Sequence, residues 1–280
     1  MTFGSGAGVV ESALAAALLG TGDFVGGLAA RARSAILIAA GVQLFELLAL
    51  ATVGLIIRPA SPPLALLALG LAAGVAGAGG LAALYRGLAL GPMGIVAGIS
   101  AVGSVAIPVV FGAAVLGDLP TPLQMLGIAC AVSATLAASA MPGAEVRASS
   151  VGYATVAALG FGVYIIVLHA GAAWGLWMLI TTRLAAVVSL GAISATRGGL
   201  SAPLSLIRML AFVGALDLCG NVLAVAAFSS LPVGLVAAIT GMYPVATVVL
   251  AWVMLRQQPR RGGYASIALA LAGIVLIGQR

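Results

Sequence analysis

The sequence has very few charges for its 280 residues. Only 6% of the residues are charged, 63% are hydrophobic, and the mean hydropathy is +1.26. About a quarter of the residues in a soluble domain are charged. The composition therefore excludes a soluble globular protein and indicates a protein embedded in a lipid bilayer.

Lysine is absent, and all twelve basic residues are arginines that lie singly or in pairs. Without a basic cluster, the net charge of +6 gives no reason to expect a nucleic-acid partner. We expect these arginines mainly at the membrane edges, near lipid phosphates.

Residues that bind metals and nucleotides are also scarce. The sequence has one histidine, His169, and two cysteines, Cys130 and Cys219, that lie within apolar runs. These numbers exclude the common zinc motifs and a disulfide framework. A glycine-rich phosphate loop with lysine is missing too. We therefore predict no metal, no cofactor and no direct use of ATP by this chain alone.

Long apolar runs dominate the rest of the sequence. A helix needs about twenty apolar residues to cross the hydrocarbon core, and the sequence contains ten such runs. They are roughly 9–29, 35–57, 64–88, 93–116, 122–140, 151–171, 174–196, 203–228, 233–255 and 263–279. A transmembrane barrel would instead show segments of about ten residues with alternating polarity. We therefore predict an all-α membrane protein with ten transmembrane helices.

The two halves of the sequence repeat one another. Residues Pro92 to Val109 recur as Pro232 to Val249, with eight of eighteen positions identical at an offset of 140 residues. Glycines and prolines keep this register elsewhere, in the pairs Gly20/Gly160, Gly22/Gly162, Pro63/Pro203, Gly74/Gly214 and Gly80/Gly220. We predict two five-helix repeats, residues 1–144 and 145–280. Because five is odd, the second repeat should be inverted in the membrane and enclose a central cavity with the first.

Polar residues within the apolar runs are the candidates for a binding site, because they are costly in a bilayer. Gln43 and Arg183 occupy equivalent positions of the two repeats, and Asp217 and Asn221 share one face of a helix. The predicted substrate-binding residues are Asp23, Gln43, Glu46, Tyr164, Arg183, Asp217, Asn221 and Tyr243.

Two interpretations of this polar group remain open. Arg183 needs a counter-charge, and Asp23, Glu46 and Asp217 are the carboxylates at a suitable depth. The group could be a buried ion pair that only holds the helix bundle together. It could instead line a cavity for a small polar or zwitterionic solute, with one carboxylate as carrier of a coupling proton.

Several motifs resemble those of the drug/metabolite transporter superfamily, specifically its EamA-type ten-helix transporters. These motifs are Leu18-Leu19-Gly20-Thr21-Gly22-Asp23-Phe24, Leu88 to Ala97, Gly117-Asp118, Leu126-Gly127-Ile128, Met242-Tyr243-Pro244-Val245 and Ala272-Gly273-Ile274-Val275. Ser104 departs from the pattern, because Pro244 holds its place in the other half. The resemblance implies a basket-like bundle whose fifth and tenth helices lie outside the central cavity. It also implies transport of small metabolites, often export of amino acids or related compounds.

The leading hypothesis is a secondary active exporter of small organic solutes, working by alternating access as a monomer in the plasma (bacterial inner) membrane. A flippase for lipids or lipid-linked solutes is an alternative, and an intramembrane enzyme using Asp23, Asp217 and His169 is another. We do not favour the enzyme, because the sequence contains no recognisable catalytic triad. The arginine distribution places both termini outside the cytoplasm, whereas the resemblance places them inside, so the orientation stays open.

Overall fold

The computed structural model describes residues 3–91, 93–139, 147–196, 204–255 and 261–278, and every regular element within these ranges is a helix. The α-helices are α1 (Phe3–Ala32), α2 (Ala35–Ile57), α3 (Leu64–Leu90), α4 (Met93–Phe111), α5 (Pro122–Ser139), α6 (Ala148–Ala170), α7 (Gly175–Thr196), α8 (Leu204–Ala227), α9 (Val233–Thr240), α10 (Tyr243–Leu255) and α11 (Arg261–Ile277). A π-helical turn, Gly112–Leu116, extends α4, and a 3₁₀ turn, Ala172–Trp174, precedes α7. The predicted boundary between residues 144 and 145 lies outside the described ranges, as does Pro92.

Seven helical segments of the described ranges are long and apolar enough to cross a membrane. They are Gly6–Ala32, Ala35–Ile57, Leu64–Leu90, Ile95–Leu116, Ala148–Ala170, Ala172–Ala195 and Leu206–Ala227. Three shorter apolar helical segments, Pro122–Ala137, Val233–Thr247 and Ile267–Ile277, lie within the other predicted spans. Large apolar side chains such as Leu55 and Ile56, each 76% exposed, would be covered by lipid. The chain is an integral membrane protein, and the number of ten spans stays a prediction.

The ninth predicted span, 233–255, is interrupted, so one continuous helix was the wrong expectation there. Helix α9 ends at Thr240, and α10 begins at Tyr243. Pro244 explains the break, because proline has no N–H and its ring collides with the carbonyl four residues earlier. Ser104 takes the place of Pro244 in the first half, and α4 continues through it. The hydroxyl of Thr135 donates a hydrogen bond of 3.3 Å to the carbonyl of Gly241 beside the break.

Helices from the two halves pack against each other in corresponding pairs. Helix α1 packs along α8 and α6 along α3, while α2 packs on α7 and α5 on α11. Glycines permit close approach at equivalent positions. A Cβ atom on Gly74 would collide with the backbone carbonyl of Thr182, and a Cβ atom on Gly214 would lie 3.1 Å from the carbonyl oxygen of Val42. Both contacts are of the kind that small residues allow between membrane helices.

The largest apolar cluster fills one end of the bundle. It joins the C-terminal parts of α1, α3 and α7 to the N-terminal parts of α2, α4 and α8. Ala30, Ile38, Leu84, Leu190 and Leu210 are among its buried members. Arg31, Arg33 and Arg86 lie near the helix ends on this side, so it is the arginine-rich end of the bundle.

Candidate substrate-binding cavity

A cavity of about 110 Å³ lies among nine of the described helices. Helices α1 to α4 and α6 to α10 all contribute to its wall. Within the described part of the chain, α5 and α11 contribute no lining residue, which agrees with what the resemblance implies for the outermost helices. Both halves of the chain therefore enclose one shared space.

The structure brings the predicted site residues together around this space. Seven of the eight line the cavity: Asp23, Gln43, Tyr164, Arg183, Asp217, Asn221 and Tyr243. The eighth, Glu46, is fully buried and lies behind the wall, paired with Arg183. The placement is compatible with both earlier interpretations, a structural ion pair and a solute site. That these residues bind a substrate stays a prediction.

Arg183 is the centre of a buried charge network that links α7 with α2 and α8. Its Nε atom lies 2.5 Å from Oε2 of Glu46, and its Nη2 atom lies 3.5 Å from Oδ2 of Asp217. The side chains of Arg183 and Glu46 are 6% and 0% exposed, whereas that of Asp217 is 18% exposed. Gln43 also donates a long hydrogen bond of 3.5 Å from Nε2 to Oε1 of Glu46. Arg183 is therefore held between the two halves of the molecule.

A chain of hydrogen bonds extends the network along one wall of the cavity. The hydroxyl of Tyr164 donates to Oδ1 of Asn221 at 2.9 Å. The amide nitrogen of Asn221 donates in turn to Oδ2 of Asp217 at 3.0 Å and to the backbone carbonyl of Asp217 at 2.9 Å. The guanidinium carbon of Arg183 also lies 5.6 Å from the centroid of the Tyr164 ring, within the range of a cation–π interaction.

Tyr243 lines the cavity, but its hydroxyl already has a hydrogen-bond partner in the protein. This hydroxyl donates a hydrogen bond of 3.3 Å to the backbone carbonyl of Ala97 in α4. Tyr243 thereby fixes the start of α10 against the first half of the chain. Tyr243 therefore lines the cavity while its hydroxyl has a backbone partner, and its predicted role in substrate binding stays a prediction.

Sequence reasoning missed several wall residues. Thr240 and Gly241 line the cavity where α9 breaks, and Phe161 and Phe228 supply aromatic surface. Ser104, the equivalent of Pro244, lines it as well. The proline was the available signal, because interrupted membrane helices commonly lie at binding sites. The phenylalanines could not be distinguished from lipid-facing residues by pattern alone.

Comparison with known protein families gives a match for the second half of the chain. Residues 148–279 match the model of the EamA-like transporter family. The second half of this chain is an EamA-like domain. This finding confirms the family resemblance and is consistent with membership of the drug/metabolite transporter superfamily. A search of curated proteins gives no match.

Solved structures support the fold of the whole chain. One of them, described only as "Crystal structure of protein", aligns with a TM-score of 0.72 and 17% identity. The alignment covers 93% of this chain and 95% of that one. At this identity the likeness concerns the fold alone. It extends across both halves, whereas the EamA-like match covers only the second.

Proposed function

We propose that this chain is a secondary transporter that exports small organic solutes by alternating access between two inverted five-helix halves. The observation that carries the proposal is a cavity inside an apolar bundle, with polar side chains in its lining, walls from both halves and Arg183 bridging them. Polar and ionisable side chains at membrane depth are retained where they serve solute or ion passage. The EamA-like domain supports transport of this general type.

The packing of equivalent helices supports the inverted repeat. Helix α1 pairs with α8 as α6 pairs with α3, and Gly74 meets Thr182 as Gly214 meets Val42. Gly74 and Gly214 are 140 residues apart, and so are Val42 and Thr182, so the two contacts are equivalent under the repeat. Two halves related in this way can exchange their conformations around a fixed site, which converts an inward-open state into an outward-open one.

The apolar cluster supports a gated pathway. The cluster fills the arginine-rich end of the bundle. The cavity extends toward the other end, where Leu168, Ala224 and Phe228 lie near the C-termini of α6 and α8. Solute passage requires this cluster to loosen while the opposite end closes. Alanines make up nearly half of the cluster's buried members, and such small side chains let the helix backbones approach closely.

The family resemblance supplies the remaining parts of the proposal. Amino acids or related metabolites are the expected solutes, export is the expected direction, and the plasma (bacterial inner) membrane is the expected location. A monomer suffices, because one chain supplies both halves of the pathway. A coupling proton would be carried by one of the cavity carboxylates.

The flippase and the enzyme receive less support. A flippase needs cationic side chains along a groove open to lipid, yet Arg183 is 5% exposed and already paired. The enzyme hypothesis combined Asp23 and Asp217 with His169. The ring of His169 instead packs edge-to-face on Phe228 at 5.1 Å, and His169 is not among the residues that line the cavity in the described part of the chain.

Flux in proteoliposomes tests the proposal. Labelled amino acids, amines and other metabolites are loaded or added outside, with and without a pH gradient, for the wild type and for Asp217→Asn. The matched control is Asp118→Asn, a carboxylate that lies outside this cavity. Saturable flux that falls in Asp217→Asn and persists in the control supports the proposal. Movement of labelled lipid without movement of any soluble solute would replace it with the flippase.

A further inference from the structure

The charges around the cavity do not balance. Among the described residues, the carboxylates of Asp23, Glu46 and Asp217 accompany one guanidinium, that of Arg183, which already pairs with Glu46 and Asp217. Asp23 has no hydrogen bond or ion pair with any described residue, although it lines the same cavity. A carboxylate at membrane depth is costly unless a positive charge or a proton neutralises it. Asp23 therefore has no cationic partner among the described residues, so its charge must be neutralised by a proton or by a cation that the cavity binds.

A second side chain, Gln43, also lacks a partner that a cationic ligand with N–H groups could supply. Gln43 lines the cavity, is 3% exposed, and directs its Nε2 atom to Glu46. Because a carboxylate only accepts hydrogen bonds, the amide nitrogen must face Glu46, which leaves the amide oxygen on the other side. This Oε1 atom is buried without a hydrogen-bond partner. No described residue donates to this acceptor, so a bound water or an N–H group of a solute would satisfy it.

The surrounding wall suits a cation with an apolar body. Phe161 and Phe228 contribute aromatic surface against which an alkyl body can pack, whereas one face of the Tyr164 ring already lies against Arg183. Helix α9 ends in the wall at Thr240, so the negative end of its backbone dipole lies there. An apolar cavity of about 150 Å³ holds benzene. The present volume of about 110 Å³ therefore fits a solute with fewer heavy atoms.

We propose that the cavity binds a small primary alkylammonium ion. Its N–H groups donate to the carboxylate of Asp23 and to Oε1 of Gln43, and its alkyl body lies against the aromatic wall. Among the described residues that line the cavity, a solute carboxylate could pair only with the guanidinium of Arg183. This guanidinium already forms ion pairs with Glu46 and Asp217. This inference rests on the proposed transport function, and among its solutes it favours amines that lack a carboxylate over amino acids.

Binding to the purified full-length protein in nanodiscs, measured by calorimetry at one fixed pH, tests this proposal. The probe is isobutylammonium, compared with tetramethylammonium, isobutanol and isobutyrate, which are similar in size. Tetramethylammonium has the charge but no N–H donor, isobutanol has donors without charge, and isobutyrate has the opposite charge. We expect saturable binding of isobutylammonium and binding of the other three that is at least about tenfold weaker, as loss of a charged hydrogen bond predicts.

Three variants locate the binding. Asp23→Asn should weaken isobutylammonium binding by about 10- to 100-fold, whereas Asp23→Glu should retain most of it because the charge remains. Asp118→Asn should bind like the wild type, since Asp118 lies outside this cavity. Size-exclusion profiles that match the wild type establish that each variant is folded, and a misfolded Asp23→Asn leaves the comparison of the four probes as the deciding test.

Specific outcomes overturn the inference. Isobutylammonium affinity that is unchanged in Asp23→Asn, equal binding of tetramethylammonium, or displacement of isobutylammonium by an equal concentration of sodium would each contradict it. The flux assay separates this failure from failure of the transport proposal. Amino acids that cross the membrane while isobutylammonium does not bind would refute the amine class and keep the transporter. If isobutylammonium binds and this binding depends on Asp23, but no solute crosses the membrane, the amine site would stand and the transport proposal would be refuted.

Discussion

Replacing Arg183 with methionine should strongly destabilise the protein. Methionine keeps an unbranched side chain but removes the cation that lies 2.5 Å from Glu46, whose side chain is fully buried. Removing one partner of a buried ion pair costs about 3–5 kcal/mol. Loss of the cation should cost less free energy at Asp217, because the Asp217 side chain is 18% exposed and Asn221 still donates a hydrogen bond to it. The predicted loss therefore comes mainly from Glu46.

A second substitution should recover much of this loss. In the double variant Glu46→Gln with Arg183→Met, neither member of the close pair is charged, and neutral replacements of buried ion pairs are often close to neutral in stability. The double variant should thus be more stable than Arg183→Met alone. Non-additive effects of this kind are expected for side chains in direct contact.

Equilibrium unfolding in mixed detergent micelles, followed by tryptophan fluorescence, measures both effects. Arg86→Met is the matched control, because Arg86 is an exposed arginine near the end of α3. Exposed substitutions usually change stability by no more than about 0.5 kcal/mol. The reasoning would be refuted if Arg183→Met were as harmless as this control, or if the double variant lost the sum of the two single losses.

Two further predictions concern packing and the hydrogen-bond chain. Gly74→Ala should destabilise by about 1–3 kcal/mol, the usual cost of overpacking, because its Cβ atom would collide with the backbone of Thr182; Gly79→Ala on the same helix meets nothing within 4 Å and should be neutral or stabilising. Equal melting temperatures for the two variants would contradict this. Tyr164→Phe should cost about 1–3 kcal/mol, since Oδ1 of Asn221 loses its donor. Tyr153→Phe, at a ring that is 37% exposed, should not change the unfolding midpoint, and an equal shift in both would oppose the argument.

The helical architecture was accessible from the sequence because bilayer thickness dictates the length of each apolar run. The predicted runs coincide with the described helices except over 233–255. Over that stretch the error was to predict one continuous helix across Pro244. The helix is interrupted just before Pro244, whereas α4 continues through the equivalent Ser104 and through Pro108.

The candidate site was only partly predictable. Charged and amide side chains in apolar runs stand out because burial makes them costly, so Asp23, Gln43 and Arg183 could be found by inspection. Which carboxylate pairs with Arg183 could not be decided, since this depends on the rotation of α2, α7 and α8 about their axes. Tyr243 shows the same limit, because only packing reveals that its hydroxyl bonds to the backbone of Ala97.

Access to the cavity from the two faces of the membrane tests the central claim most directly. Ser104 lines the cavity and can be replaced by cysteine with little change of shape, after Cys130 and Cys219 have been replaced by serine. A membrane-impermeant thiol reagent is then added from one face or the other of vesicles with known orientation. Alternating access predicts labelling from both faces, slowed by a transported solute. Labelling from only one face under every condition would contradict alternating access around this cavity.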